Sequence, residues 1–256
     1  MATDIEKASA ELQELVAKAD TGARKPGGPT ATLIFGVALA WALFQLWYAS
    51  PLPFALSIGI LNDSEARAIH LALALFLAFL AWPALASSPR DRVPLVDWVL
   101  AFAGAFAAAY LMLFYRELAT RPGQPTATDI VVATIGLVLL LEATRRSVGW
   151  PMAALAALFI AYCMGGQYLP EVLQHKGASL NRLLSHMWLT TEGVFGIALG
   201  VSTGTIFVYV LFGTLLDRAG GGNYMMQVSF AALGHMRGGP AKVAVVSSAL
   251  NGLISG

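Results

Sequence analysis

The sequence predicts an all-α integral membrane protein with six transmembrane helices and then the first arm of a re-entrant hairpin. Three observations predict this. Charged residues make up 12% of the chain and hydrophobic residues 57%, whereas a soluble domain carries about a quarter charged residues; a soluble core of this length cannot hide that apolar load. Charge-free windows long enough to cross a bilayer, at about 1.5 Å per helical residue, recur along the chain. Basic residues fall unevenly on alternate loops, as they do in inserted proteins.

The elements follow in order. Thr3 to Ala19 reads as a short cytoplasmic helix, with Thr3 and Glu6 as a capping box and Ile5, Leu12, Leu15, Val16 and Ala19 on one face. The Gly/Pro-rich linker TGARKPGGPT follows, and no cleavable signal pattern is visible in the first thirty residues. Ala31 to Asn62, Ala68 to Pro89 and Trp98 to Tyr115 carry no charge and form spans one to three. Span four is shorter, Ile130 to Leu141, and reaches full length if Asp129 and Glu142 sit at opposite interfaces. Ser147 to Pro170 and Gly193 to Leu216 form spans five and six. Trp47, Tyr48, Trp82, Trp98, Trp150 and Trp188 lie near span ends, where interfacial anchors belong.

Between spans five and six, Glu171 to Trp188 contains the amphipathic run Leu180, Leu183, Leu184 and Met187. It reads as a helix in the outer interface or as a solvated connecting loop. After span six, Gly220 to Asn223 stops the helix, and Arg237 to Lys242 turns the chain back through Gly238, Gly239 and Pro240. Only fourteen uncharged residues remain, Val243 to Gly256. They make about 21 Å of helix, against a bilayer core of about 30 Å. That is half a span or one arm of a hairpin, with a Gly/Ser end at membrane depth, where irregular backbone survives only inside protein or beside a water-filled cavity.

Orientation comes from loop charge. The N-terminal tail, the second and fourth loops and the region after span six hold eleven Lys and Arg residues; the alternate loops hold five, Arg67, Arg116, Arg121, Lys176 and Arg182. The N-terminus is therefore expected in the cytoplasm.

Few functional classes survive this reading. A net charge of +1 gives no basic face for nucleic acid. The lone Cys163 permits no disulfide framework and is expected as inert packing. The four histidines lack metal-ligand spacing. The glycine runs at 219–223 and 237–242 lack the ending of a phosphate loop. No nucleophile, base or zinc-binding pattern appears, so the expectation is no enzyme and no cofactor. Asp97, Asp129, Glu142, Glu192 and Asp217 fall at span ends, as they should when an ionised carboxylate at mid-bilayer costs about 2.5–3.5 kcal/mol. Glu142 with Arg145 and Arg146 reads as a set of surface pairs worth little.

Span six stands apart. Gly196, Gly200 and Gly204 repeat every four residues, with Ser202, Thr203 and Thr205 beside them. Glycines at this spacing admit a second helix. Hydroxyls, with carbonyls freed where glycine loosens the helix, also suit a hard cation such as sodium.

Three segments carry a family likeness: LTTEGVFGIALGVS (Leu189 to Ser202), VLFGTLLDRAGGG (Val210 to Gly222) and GHMRGGPAKVAVVSSALNGLISG (Gly234 to Gly256). Together they resemble the fused membrane subunits of tripartite ATP-independent periplasmic (TRAP) transporters, of the type that works with TAXI-class binding proteins. The likeness is dense over residues 189–256, and EATRRSVGWP (Glu142 to Pro151) also looks like the fused type; spans one to four match in layout alone.

The resemblance implies an organisation and a mechanism. Residues 1–30 are a cytoplasmic helix and linker, 31–148 a four-helix scaffold, 149–190 a connecting span with an interfacial helix, and 191–256 the start of the large transport subunit. A periplasmic binding protein delivers an organic solute, usually a carboxylate, which a moving transport domain carries inward with sodium by an elevator movement across the bacterial inner membrane. Sodium is the coupling ion, with no other cofactor. By position, Asn251, Ser255 and Gly256 match the family's first hairpin tip, and Ser202, then Thr203, match the neighbouring helix. The resemblance further implies that family members continue well past this point, so the chain is expected to be an N-terminal fragment that stops at the tip. The alternative from a different class is a structural or assembly subunit with no transport site of its own.

Overall fold

The computed structural model describes residues 22–85 and 87–255. The expected helix at Thr3 to Ala19 lies outside them. The described residues form helices and turns, with no strand among them. Six helices are long and apolar enough to cross a membrane: Gly28–Ala49, Asp63–Ala81, Leu95–Leu113, Ala127–Ser147, Trp150–Tyr168 and Ile197–Arg218. The protein is an all-α, multi-pass membrane protein.

We number the helices α1 (Gly28–Ala49), α2 (Leu52–Leu56), α3 (Asp63–Ala81), α4 (Leu95–Leu113), α5 (Tyr115–Thr120), α6 (Ala127–Ser147), α7 (Trp150–Gly165), α8 (Leu180–Trp188), α9 (Ile197–Val201), α10 (Phe207–Arg218), α11 (Gly221–Leu233) and α12 (Gly239–Ser255). Their boundaries have local causes. Span one, expected to run to Asn62, ends at Ala49, because Pro51 and Pro53 interrupt it and open the short α2, which closes on Ser57 at φ +55°. Asn62 and Glu65 exchange side-chain and backbone hydrogen bonds in a capping box that starts α3. Thr126 and Asp129 do the same for α6, and Ser179 caps α8.

Two compact units emerge. The first contains the described residues up to Leu43 together with Leu61–Leu199. Its core is a bundle of α3, α4 and α6 against which α8 packs. Small residues line α4 in this core, Ala101, Gly104 and Ala108 among them, and a Cβ at Gly104 would already meet Leu75 at 3.4 Å and Phe79 at 3.5 Å.

Trp188, expected as an interfacial anchor, is fully buried in this core. Its Nε1–H donates to the carbonyl of Ala107 at 2.9 Å, and its ring lies edge-on to Phe195. Helix α8 therefore buries Leu183, Leu184 and Trp188 against the bundle, and only Leu180 of the expected leucines is exposed. An amphipathic face pairs with protein as readily as with lipid, and here protein takes it. Cys163 is the opposite correction: it is exposed on α7 and packs no core, because α7 as a whole buries little beyond Ala153.

The second unit contains Phe44–Ile60 and the residues from Gly200 onward. Helix α10 ends where Gly220 adopts φ +89°, the expected helix stop, but Gly221 already opens α11, an element the sequence reading did not anticipate. Helices α11 and α12 pack side by side, joined by the turn at 234–238. Gly238 turns at φ +71°, and Gly239 and Pro240 begin α12, so the turn ends earlier than the expected Lys242. Proline fits the first helical turn, where its missing N–H has no partner to lose.

Candidate functional site

The hydroxyl-rich part of span six is where the helix changes character. Between α9 and α10, Ser202 to Ile206 form a π-helical turn, with Phe207 N–H donating back to the Ser202 carbonyl. A π turn widens the backbone by one residue and leaves a carbonyl poorly served within the helix, which is why such turns gather at functional positions. The turn contains Ser202, Thr203, Gly204 and Thr205. Thr203 is buried, Ser202 half-buried and Thr205 exposed.

The glycine stripe divides into different uses. A Cβ at Gly196 would lie 2.3 Å from the carbonyl oxygen of Glu192, so that position admits nothing larger. At Gly204 a Cβ would meet nothing within 4 Å among the described residues. Among the described residues, close helix packing therefore does not account for Gly204.

The other expected site residues lie on α12. Asn251 and Ser255 continue its helical backbone, while their side chains, and Gly256 as a whole, lie outside the described residues. Helix α12 packs against α11 and α10; among the described residues the π turn is not one of its broad contacts. The structure thus gathers Ser202 and Thr203 into one turn. Between α11 and α12, Met226, Phe230, Val243 and Ser247 line a cavity of about 440 Å³, and Ser229 and Ser247 are buried hydroxyls that the sequence reading passed over.

Two charged clusters in the first unit were also missed. Arg24 reaches from the N-terminal segment to cap α3, with its guanidinium on the carbonyls of Phe79 and Leu80 and its backbone N–H on that of Ala81. The same guanidinium pairs with Asp97, which also takes Arg146 at 2.8 Å. Arg146 continues to Glu142 at 2.7 Å, and Arg145 grips Glu142 and the carbonyl of Ala84. The side chains of Arg24, Asp97 and Arg146 are 5% exposed or less. The expected surface pairs around Glu142 are therefore part of a buried network, closed by Arg146 over the ring of Phe79.

In the second cluster, fully buried Asp129 accepts from Tyr110 Oη at 2.6 Å, Arg121 at 2.7 Å and the Thr126 N–H at 2.7 Å. Both networks are satisfied and structural in geometry. Among the described residues, no three His, Cys, Asp or Glu side chains come together as a metal site.

Comparison with known proteins adds a family likeness over part of the chain. Residues 135–256 match the family model "Tripartite ATP-independent periplasmic transporter, DctM component". The match begins within α6 and takes in the π turn, α11 and α12. It supports the TRAP permease family, a transporter family rather than an enzyme family, whose permeases work with a periplasmic binding protein and move a solute. No curated protein and no solved structure matches the chain.

Proposed function

We propose that this chain is part of the membrane permease of a sodium-coupled TRAP transporter of the TAXI-associated type, importing an organic, carboxylate-bearing solute across the bacterial inner membrane. The observation that carries the reading is the family match over residues 135–256, which includes the one turn of span six where hydroxyls and a widened backbone coincide. In this reading Ser202 and Thr203 supply neutral oxygens to sodium, with Asn251, Ser255 and Gly256 from the hairpin tip. Hard cations favour such oxygen donors, and discontinuous helices are where transporters provide them. The bundle of α3, α4 and α6 lies within the 31–148 scaffold, residues 149–190 connect, and residues 191–256 belong to the moving domain of an elevator. The N-terminus is cytoplasmic. A TAXI-type binding protein delivers the solute from the other side.

The test is uptake of a labelled carboxylate by proteoliposomes holding the permease, with and without a sodium gradient and with and without its binding protein. Uptake that needs both supports the reading. Uptake indifferent to sodium overturns the coupling, and a stably inserted permease that never transports favours an assembly subunit.

A further inference from the structure

We infer that the groove between α1, α3 and α6 is a binding site for an anionic phospholipid, one acyl chain lying in the groove and the glycerol–phosphate region at its Trp82 end. The inference rests on the fold of the first unit and does not depend on the transport reading.

Helix α1 is the most weakly packed of the first four membrane spans, with 6% of its apolar window buried against 39–44% for those on α3, α4 and α6. Arg24 ties the chain just before α1 to the end of α3, and Trp41 Nε1–H donates to His70 Nδ1 at 3.2 Å farther along. Between these two ties the helices stand apart. The space, about 460 Å³, is lined by Ile34, Ala38 and Trp41 from α1, Ala78 and Trp82 at the end of α3, and Ala143 from α6, among others. That volume is within the range of about 300–1,000 Å³ typical of small-molecule sites. Its walls are almost wholly apolar and belong to three membrane spans, so hydrocarbon is the medium that fits them.

Two further observations specify the occupant. Trp82 lines the groove, and its indole Nε1–H is buried with no acceptor among the described residues. A buried donor left without an acceptor keeps its full desolvation penalty; an ester or phosphate oxygen of a lipid supplies the acceptor. The charge around that end is also one-sided. Arg24, Arg145 and Arg146 are held there by Asp97 and Glu142, and the Lys25 N–H on the Arg90 carbonyl brings Lys25, Arg90 and the adjoining Arg92 to the same end, against Asp91. Arg90 and Arg92 are exposed. Basic pockets between spans on the cytoplasmic side select anionic headgroups, and the orientation expected from loop charge puts this end on that side.

Native mass spectrometry of the delipidated full chain, titrated with phosphatidylglycerol or phosphatidylcholine, tests the site. One phosphatidylglycerol should bind ahead of all others, with roughly tenfold preference over phosphatidylcholine, the size expected for one or two basic side chains. Trp82→Phe should weaken that first binding step about fivefold, the scale of one hydrogen bond. Arg90→Gln with Arg92→Gln should remove the preference while leaving phosphatidylcholine binding as it was. Ala78→Trp should fill the groove and abolish the tight step; if that variant fails to fold, Trp82→Phe decides alone. Equal binding of the two lipids overturns the inference, as does a first binding step unchanged by Trp82→Phe or a preference unchanged by Arg90→Gln with Arg92→Gln. So does a dimer that excludes lipid, since a second copy would then be the occupant.

Discussion

Gly136→Ala is the sharpest test of the fold, because a single methyl should undo the burial of Trp188. A Cβ at Gly136 would lie 2.2 Å from Cε2 and Cζ2 of Trp188 and 2.8 Å from its Nε1. Carbon atoms want about 3.5–4.0 Å, so the indole would have to retreat by roughly 1.3 Å. It has nowhere to go without strain, since it is fully buried and its N–H is held by Ala107 at 2.9 Å. Overpacking costs about 1–3 kcal/mol, and a buried N–H pulled off its acceptor about 1–3 more. The gain in helix propensity from Gly to Ala returns about 1 kcal/mol. The balance is a loss of roughly 1–5 kcal/mol, centred near 3, or a central fall in Tm of about 6–12 °C for a chain of this size. Thermal unfolding of detergent-purified protein measures it, with Gly36→Ala as the control, because a Cβ there meets nothing within 4 Å. Trp188→Phe introduced beside Gly136→Ala should recover part of the loss, the signature of coupled neighbours. A Gly136→Ala protein as stable as the Gly36→Ala control would refute the packing of α8 described above.

Asp97→Ala should cost about 3–5 kcal/mol, because Arg24 and Arg146 would keep buried charges without their carboxylate; unchanged thermal unfolding would mean that the network is solvated. Asp129→Asn should destabilise by roughly 2 kcal/mol through weaker bonds to Arg121, Tyr110 and the α6 cap, and a hydrogen-exchange profile of the first turn of α6 identical to that of the unsubstituted protein would contradict this. For the proposed sodium site, Ser202→Ala should raise the sodium concentration for half-maximal uptake at least roughly tenfold, while Thr205→Ala, at an exposed position of the same turn, should leave it near the starting value. Equal sodium dependence in the two variants would count against the turn as an ion site.

Much of the fold was legible because charge and hydropathy act locally. Six spans could be counted from charge-free windows, and the glycines at 220 and 238 marked backbone reversals that the structure makes with positive φ. The misses around Trp188 and Glu142 share one cause: they depend on partners distant in the chain. Trp188 near a span end looks like an interfacial anchor until Gly136 and Ala107 of two other helices form its pocket. Glu142 with two arginines looks like a surface set until Asp97 and Arg24 join it from 45 and 118 residues away. Of the candidate site, the hydroxyl cluster of span six was visible as composition, while the π turn that loosens its backbone is a property of the folded helix.

The sequence by itself determined the class of molecule, its spans and the stretch that matches a transport permease, since burial in lipid demands long apolar helices whatever their neighbours are. Only the tertiary structure decided which faces meet. It turned α8 inward, converted end-of-span charges into a buried network around Arg24, Asp97 and Arg146, and left α1 standing off α3. The physical reason is that bilayer transfer is summed along each helix, whereas packing and ion pairing depend on complementary surfaces that meet only when the helices are assembled.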